Sequence, residues 1–230
     1  MVDIGCIIQA RMGSTRLPGK VMKKIDDDNT LLRFQISQLN NCKKIDKIII
    51  ATTTKSEDDV IYDHSRKLGL EVYRGKSDDV LDRYYNCAKK FKLPIIVRIT
   101  SDNPLIDPNI INEIISKFMM NSVDYVSNVI HRTYPYGTEV EIFTFEALEK
   151  AWKESKNKYD REHVTPYIYK NPKIFKIHNV ENNTDLSELK WTVDTKTDYE
   201  KVKKIVSLIK KRPIEIQDII KIYSKLDDII

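Results

Sequence analysis

Ile4-Gly5-Cys6-Ile7-Ile8-Gln9-Ala10-Arg11-Met12-Gly13-Ser14-Thr15-Arg16-Leu17-Pro18-Gly19-Lys20 decides the reading of this chain. The apolar run from Ile4 to Ile8 predicts a buried strand. It empties into a loop that carries two Arg, one Lys, two Gly and two hydroxyls. Phosphate oxygens need fixed donors and compensating charge, and such a loop offers both. For any single Arg or Gly the plainer reading is a strand-exit turn facing water. Their concentration in one loop after the first strand favours anion binding. Two nucleotide motifs are excluded by spacing. Five residues separate Gly13 from Gly19-Lys20 where a P-loop has four, and Val21 stands where its Ser or Thr belongs. The two glycines are also too far apart for G-x-G-x-x-G.

Outward from this loop the chain alternates buried strands with amphipathic helices. A strand over residues 5–10 is followed by a helical window through Leu31, Leu32, Phe34, Ile36 and Leu39, then by a strand over 45–52. Ser56 opens a helix that runs to a stop at Gly69, and residues 71–73 form a short strand. Ser77 or Asp78 starts the next helix, through Val80, Leu81, Tyr84, Tyr85 and Ala88; Pro94 precedes a strand over 95–99. Repeated β-α-β units imply a doubly wound, mostly parallel sheet flanked by helices. The loops after Ala10, Thr52, Tyr73 and Thr100 then gather at its ligand-binding edge. Beyond Asp124-Tyr125-Val126 the rhythm changes. Residues 138–145 alternate Val140, Ile142 and Thr144 against Glu139, Glu141 and Phe143, which predicts a small mixed or antiparallel extension. A helix over 147–152, a strand over 174–180 and terminal helices over 202–209 and 214–226, split by Pro213, complete the expectation.

A chain of 230 residues suits one large or two small domains, and one α/β domain with an appendage is expected. The hydrophobic fraction of 41% supplies a core and excludes a disordered class. Against 39 basic residues stand 34 acidic ones, so the net +5 is spread over a mixed surface and calls for no nucleic acid. Cys6, Cys42 and Cys87 are odd in number and lack ligand spacing, as expected of buried thiols in a reducing compartment. No charged-then-apolar leader opens the chain and no apolar run approaches ~18 residues, so a cytoplasmic protein without a membrane partner is expected.

The residues also carry a resemblance. Ile7-Ile8-Gln9-Ala10-Arg11-Met12-Gly13-Ser14-Thr15-Arg16-Leu17-Pro18-Gly19-Lys20-Val21 resembles the signature of cytidylyltransferases of the spore-coat-polysaccharide type, relatives of the enzymes that activate acylneuraminate and 3-deoxy-manno-octulosonate. Further matches are Arg74-Gly75 with Asp79-Val80-Leu81-Asp82-Arg83-Tyr84, Val97-Arg98-Ile99-Thr100-Ser101-Asp102-Asn103-Pro104-Leu105-Ile106-Asp107-Pro108, Asp160-Arg161-Glu162-His163-Val164-Thr165-Pro166, and Thr192-Val193-Asp194-Thr195 with Asp198. The resemblance implies a single GT-A-like nucleotidyltransferase domain over residues 1–230. Its nucleotide-binding half covers residues 1–125, its acceptor and dimer half 126–200, and its C-terminal helices 197–228. It further implies Mg²⁺-dependent transfer of CMP from CTP to a sugar-like acceptor with loss of pyrophosphate, by a homodimer whose arm is the segment 129–145. Lys76, Ser101, Asn103 and Lys190-Trp191 depart from the usual pattern, which bears on the acceptor and on base selection.

Attack on an α-phosphorus builds charge on equatorial and leaving oxygens, so positioning and electrostatics carry such a reaction. Arg11, Arg16 and Lys20 are the expected triphosphate clamp and, with Asp102, the catalytic set. Gln9, Ala10, Met12, Gly13, Ser14 and Thr15 complete the nucleotide loop, with backbone donors from residues 12–14. Arg74, Ser77 and Asp79 are candidates for base and ribose contacts. Mg²⁺ takes carboxylate oxygens and keeps several waters, and Asp102 and Asp194 are its expected ligands. Asn103, Glu139, Glu141, Glu162 and His163 are candidates on the acceptor side. Structural readings stand beside these: an Asx turn at Asp102, a helix cap at Asp194 or Ser77, a surface or structural cation at Arg83, and a helical first turn over Asp160-Arg161-Glu162. Other classes are a GT-A glycosyltransferase, a nucleotidyltransferase acting on a phosphate, phosphonate or carboxylate acceptor, and a protein that only binds nucleotide. The glycosyltransferase needs D-x-D where this chain has Ser101-Asp102-Asn103-Pro104.

Overall fold

The computed structural model describes residues 3–223. Period-two alternation sends Ile7 and Ile8 of β1 (Ile4–Gln9) to opposite faces, where each is fully buried. A strand covered on both faces needs helices above and below. α1 (Leu31–Leu39), α2 (Asp59–Lys67) and α3 (Val80–Lys90) are the crossovers that join β1 to β2 (Lys47–Thr53), β3 (Glu71–Gly75) and β4 (Ile95–Thr100) in parallel. Side-chain caps start two of these helices: Thr30 accepts from Arg33 N, and Asp79, rather than Ser77 or Asp78, accepts from Asp82 N. Gly69, at φ +77°, lets the chain turn out of α2.

The expected extension is antiparallel and completes a seven-stranded sheet, β3-β2-β1-β4-β6-β5-β7. β6 (Glu141–Thr144) runs against both β4 and β5 (Tyr125–Ser127), and β7 (Ile177–Asn179) lies parallel to β5. Regular strand structure is shorter than the alternation over 138–145 and the run over 174–180 predict. Thr138 donates to Pro135 O and Val140 N to Asn128 Oδ1, so the start of that alternation is spent on a turn, while Thr144 caps α5 (Phe145–Glu154). α4 (Pro108–Met120) goes beyond the sequence expectations. Its run of isoleucines suits a strand equally well, but Asp107 accepts from Asn109 N and Pro108 occupies the first turn. α6 (Lys158–His163) and α7 (Pro166–Tyr169) are single turns or little more. α8 (Lys196–Leu208) starts earlier than the predicted 202, at a capping box built by Thr195 and Asp198. α9 (Ile216–Tyr223) realises the last predicted helix; its expected residues 224–226 lie outside the described residues.

Two clusters pack the faces of the sheet. One joins Cys6, Ile8, Val97 and Ile142 to α1 and α4. The other joins Ile7, Ile96 and Phe143 to α3, α5 and α7. A third lies under α8 and α9, around Leu31, Phe34, Trp191 and Val202. Cys6, Cys42 and Cys87 are buried free thiols, and burial pushes all three upward, Cys42 to about 12. Among the described residues no helix is long and apolar enough to cross a membrane. Gln38 ties the C-terminal segment to α1 and to the loop after β4, donating to Ile106 O at 3.2 Å and Ile214 O at 2.7 Å and accepting from Ile214 N at 3.0 Å. Gln38→Leu strands these buried groups and should lower unfolding free energy by about 2 kcal/mol or more, read by urea denaturation.

Candidate active site

Because β1 through β4 are parallel, their carboxyl ends share one edge, and the chain leaves each there by a loop. Above β1 and β4 lies a cavity of about 340 Å³. The loop after β1 is built to stand over it. Met12 N donates to Asp58 Oδ1 at 2.6 Å, and Met12 O accepts from Ser14 N at 2.8 Å and Gly19 N at 2.9 Å. Asp58 also accepts from Thr53, which anchors the loop to the end of β2. Gly19, at φ +65°, turns the chain into a short helical turn over Lys20–Met22 and points Lys20 back across the cavity. The backbone donors expected from residues 12–14 are thus partly used internally: Met12 N and Ser14 N hold the loop's own shape.

Lys20 is the centre of the arrangement. Its Nζ donates to Val193 O at 2.7 Å and lies 3.3 Å from both Asp102 Oδ2 and Asp194 Oδ1. Arg16 reaches Asp194 Oδ1 at 2.9 Å, and Lys190 lies 3.8 Å from its other oxygen. Neither aspartate takes the structural role weighed for it. Thr195, not Asp194, caps α8, and Asp198 accepts from the backbone N of Asp194 at 3.0 Å and of Thr195 at 2.8 Å. Burial alone would raise the Asp198 carboxyl, but these donors, with the Thr195 hydroxyl and Lys190, hold it below its ordinary value. Asp198 does the structural work and leaves the Asp194 carboxylate facing the cavity. Asp102 O accepts from Val193 N at 2.8 Å, so backbone and cation together hold the two carboxylates side by side.

Of the residues expected from sequence, Gln9, Ala10, Arg11, Ser14, Thr15, Arg16, Lys20, Asp102 and Asp194 line this cavity. Glu162 and His163 line it from the end of α6. Met12, Gly13, Arg74, Ser77 and Asp79 do not. Arg74 donates to Thr53 O and Lys55 O and pairs with Asp59 at 2.6 Å. Asp79 caps α3 and takes a fork from Arg161. Both are engaged in contacts of the fold beside β3, the edge strand, two places from β1.

Asn103, Glu139 and Glu141 lie behind the cavity wall. Asn103 donates to Glu139 at 2.8 Å, and Glu139 also receives Arg132 at 2.9 Å and Gly137 N at 2.9 Å. Burial nonetheless keeps the Glu139 carboxyl above its ordinary value. Glu141 receives Arg98, Tyr125 and Thr165. Burial first, and the Glu141 charge second, push the Tyr125 phenol well upward. Burial opposes the charge on Arg98, yet the carboxylate beside it outweighs this and holds the guanidinium above its ordinary value.

Sequence reasoning gave no role to Arg98, Thr100, Ser101 or Val80, which also line the cavity, and treated Arg83 as a surface or structural cation. A signal existed for Arg98: a charge inside the buried run Ile95 to Ile99 demands a partner. Arg98 meets Glu141 from β6 and donates to Gln9 at 3.2 Å, so one pair fixes the end of β1. Val164, which follows His163, is fully buried at φ +75° and ψ −58°. Thr165 N donates to His163 O at 2.9 Å across it, the hydrogen bond of a γ-turn that a β-branched residue adopts only under strain. Thr165 is clamped by Glu141, so the same carboxylate that steadies Gln9 holds the strained turn presenting His163.

The sequence model of the cytidylyltransferase family matches residues 5–228. The chain belongs to that family. It is therefore a CTP-dependent nucleotidyltransferase. SpsF, a spore coat polysaccharide biosynthesis protein of Bacillus subtilis, is 32% identical over 225 residues, 93% of this chain and 90% of SpsF. An uncharacterized protein of Methanocaldococcus jannaschii is 46% identical over 197 residues, 84% of this chain and 79% of that protein. The structure of a cytidylyltransferase from Leptospira borgpetersenii superposes with a TM-score of 0.95 at 36% identity, covering 100% of this chain and 97% of the other. The mostly parallel sheet flanked by helices is the expected GT-A-like nucleotidyltransferase architecture.

In this cytidylyltransferase the Arg98–Glu141 pair is buried, with side chains 12% and 7% exposed. Glu141→Gln leaves a cation without its counter-ion and should cost about 3 kcal/mol or more of stability, measured as a drop in the denaturation midpoint.

Proposed function

We propose that this cytidylyltransferase moves CMP from CTP to a hydroxyl of a sugar or sugar-acid acceptor, releasing pyrophosphate, in the synthesis of a surface polysaccharide or glycoconjugate. The reading rests on one observation: Arg11, Arg16 and Lys20 share a cavity with two adjacent carboxylates, Asp102 and Asp194. The role of SpsF in spore coat polysaccharide biosynthesis supports the acceptor class.

Asp102 and Asp194 suit Mg²⁺. Both are hard oxygen donors facing one cavity, and among the described residues no group of three or more His, Cys, Asp or Glu forms a site for a metal that needs an all-protein cage. When bound, the ion supplies charge neutralisation at phosphate oxygens. The chain's own residues do the rest. Arg11 and Arg16 bind the triphosphate, and Lys20, held by Val193 O, keeps an ammonium directed at the region where charge develops on the leaving group. Gln9, fixed by Arg98, borders the nucleotide pocket. Glu162 and His163 face the acceptor from α6.

Lys20→Ala should lower turnover at saturating CTP by ~10²-fold or more, while Asp102→Asn should shift the Mg²⁺ dependence to higher concentration. Unchanged kinetics in either variant would remove that residue from the machinery. The acceptor is tested by incubating the protein with each nucleoside triphosphate, Mg²⁺ and a library of sugars, sugar acids, phosphates and phosphonates, followed by mass analysis. CMP-linked sugars are expected. CMP-linked products confined to non-sugar acceptors would overturn the acceptor class. The homodimer is part of the same reading: Ile130 and Tyr136, 46% and 45% exposed, lie in the segment 129–145 expected to form its arm. Light scattering should give twice the chain mass of 26.9 kDa.

A further inference from the structure

Arg83 sits in the first turns of α3, is 2% exposed and lines the cavity. Its Nη1 donates to Lys76 O at 2.7 Å, whereas its Nε is buried without a partner. A buried guanidinium ordinarily has a carboxylate against it, as Arg98 has Glu141. The carboxylates around Arg83 are committed elsewhere. Asp79 is forked to Arg161, Asp82 accepts from Trp152 Nε1 at 2.8 Å and pairs with Lys76 at 3.6 Å, and Asp58 holds Met12 N and Thr53.

A second cation, Arg11, lines the same cavity. Burial, first, lowers the Arg83 guanidinium from its ordinary value; Tyr84, Asp58 and Asp79 oppose this, and the positive charge of Arg11, from the loop after β1, adds to it. Both side chains border the same space. Gly75 makes room for this placement, since a Cβ there would stand 3.1 Å from Arg83 Cγ and 2.9 Å from Tyr73 Cε1. Two guanidiniums lining one cavity, one of them buried and held by a carbonyl, leave a site that an anion would fill. A fork desolvated and oriented in advance also loses little freedom when that anion arrives.

We propose that Arg83, acting with Arg11, binds a charged oxyanion group of a substrate on the α3 side of the cavity, and that it is a specificity-determining residue of the transfer reaction. The chemistry is that of a phosphate or carboxylate. It comes either from the terminal phosphates of the nucleotide, which leave as pyrophosphate, or from an acid group on the acceptor. The assignment rests on the CTP reading above and deepens it.

The probe is inorganic pyrophosphate, titrated calorimetrically into the wild-type chain, Arg83→Gln and Arg83→Lys, with cytidine as the uncharged control. If the nucleotide is the source, Arg83→Gln weakens pyrophosphate binding by roughly tenfold or more, Arg83→Lys recovers part of the loss, and cytidine binds all three alike. If the acceptor is the source, pyrophosphate affinity and the KM for CTP stay constant while the KM of an acid-bearing acceptor rises by a similar factor. Equal pyrophosphate affinity together with unchanged KM values for both substrates overturns the assignment. Failure of the wild type to bind pyrophosphate tells instead against the triphosphate clamp, and only the acceptor outcome then sustains Arg83. Should Arg83→Gln not fold, the Arg83 Nε–H resonance of the wild type serves: it must shift on adding pyrophosphate or acceptor, and no shift with either overturns the proposal.

Discussion

The site depends on one ammonium. Lys20 Nζ touches Asp102, Val193 and Asp194, which lie 82, 173 and 174 residues away in sequence. Two carboxylates facing one cavity repel, and a cation between them offsets that repulsion. With its side chain 11% exposed, Lys20 is screened little by solvent. The loop after β1, the end of β4 and the start of α8 therefore meet through one side chain. That side chain is aimed by Gly19, whose positive φ ends the loop, and the loop is itself pinned by Asp58.

A second centre, Glu141, sets the opposite wall. Its carboxylate receives Arg98 from β4, Tyr125 from β5 and Thr165 from the turn before α7. It thereby links Gln9, the strained turn at Val164 and the antiparallel extension of the sheet. A buried charge network of this kind contributes rigidity more than net stability. That rigidity keeps the cavity's donors in place before any ligand arrives.

Much of this was legible in the chain. Buried strands with helical crossovers identify the parallel sheet, and parallel strands put the loops after β1 and β4 on one edge. The basic loop, Asp102 and Asp194 follow from residue type and motif. The same logic fails two strands further out, at β3. The loops after β2 and β3 share the edge, yet Arg74 and Asp79 are consumed by Asp59 and Arg161. Lateral position in the sheet, not sequence order, decides which polar residues reach the cavity.

By itself the sequence determined an α/β chain with a basic, anion-suited loop after its first strand, because local periodicity and a dense cluster of cations are written in contiguous residues; the nucleotidyltransferase reading comes from the resemblance its motifs carry. Only the tertiary structure decided which charges are spent and which are free. Glu139 and Glu141 read as acceptor ligands but are neutralised within the wall, whereas Arg83 reads as a surface or structural cation but is buried and lines the cavity without a carboxylate partner. A charge acquires its role from what neutralises it. For these residues the neutralising partners come from segments distant in sequence, and folding alone brings them together.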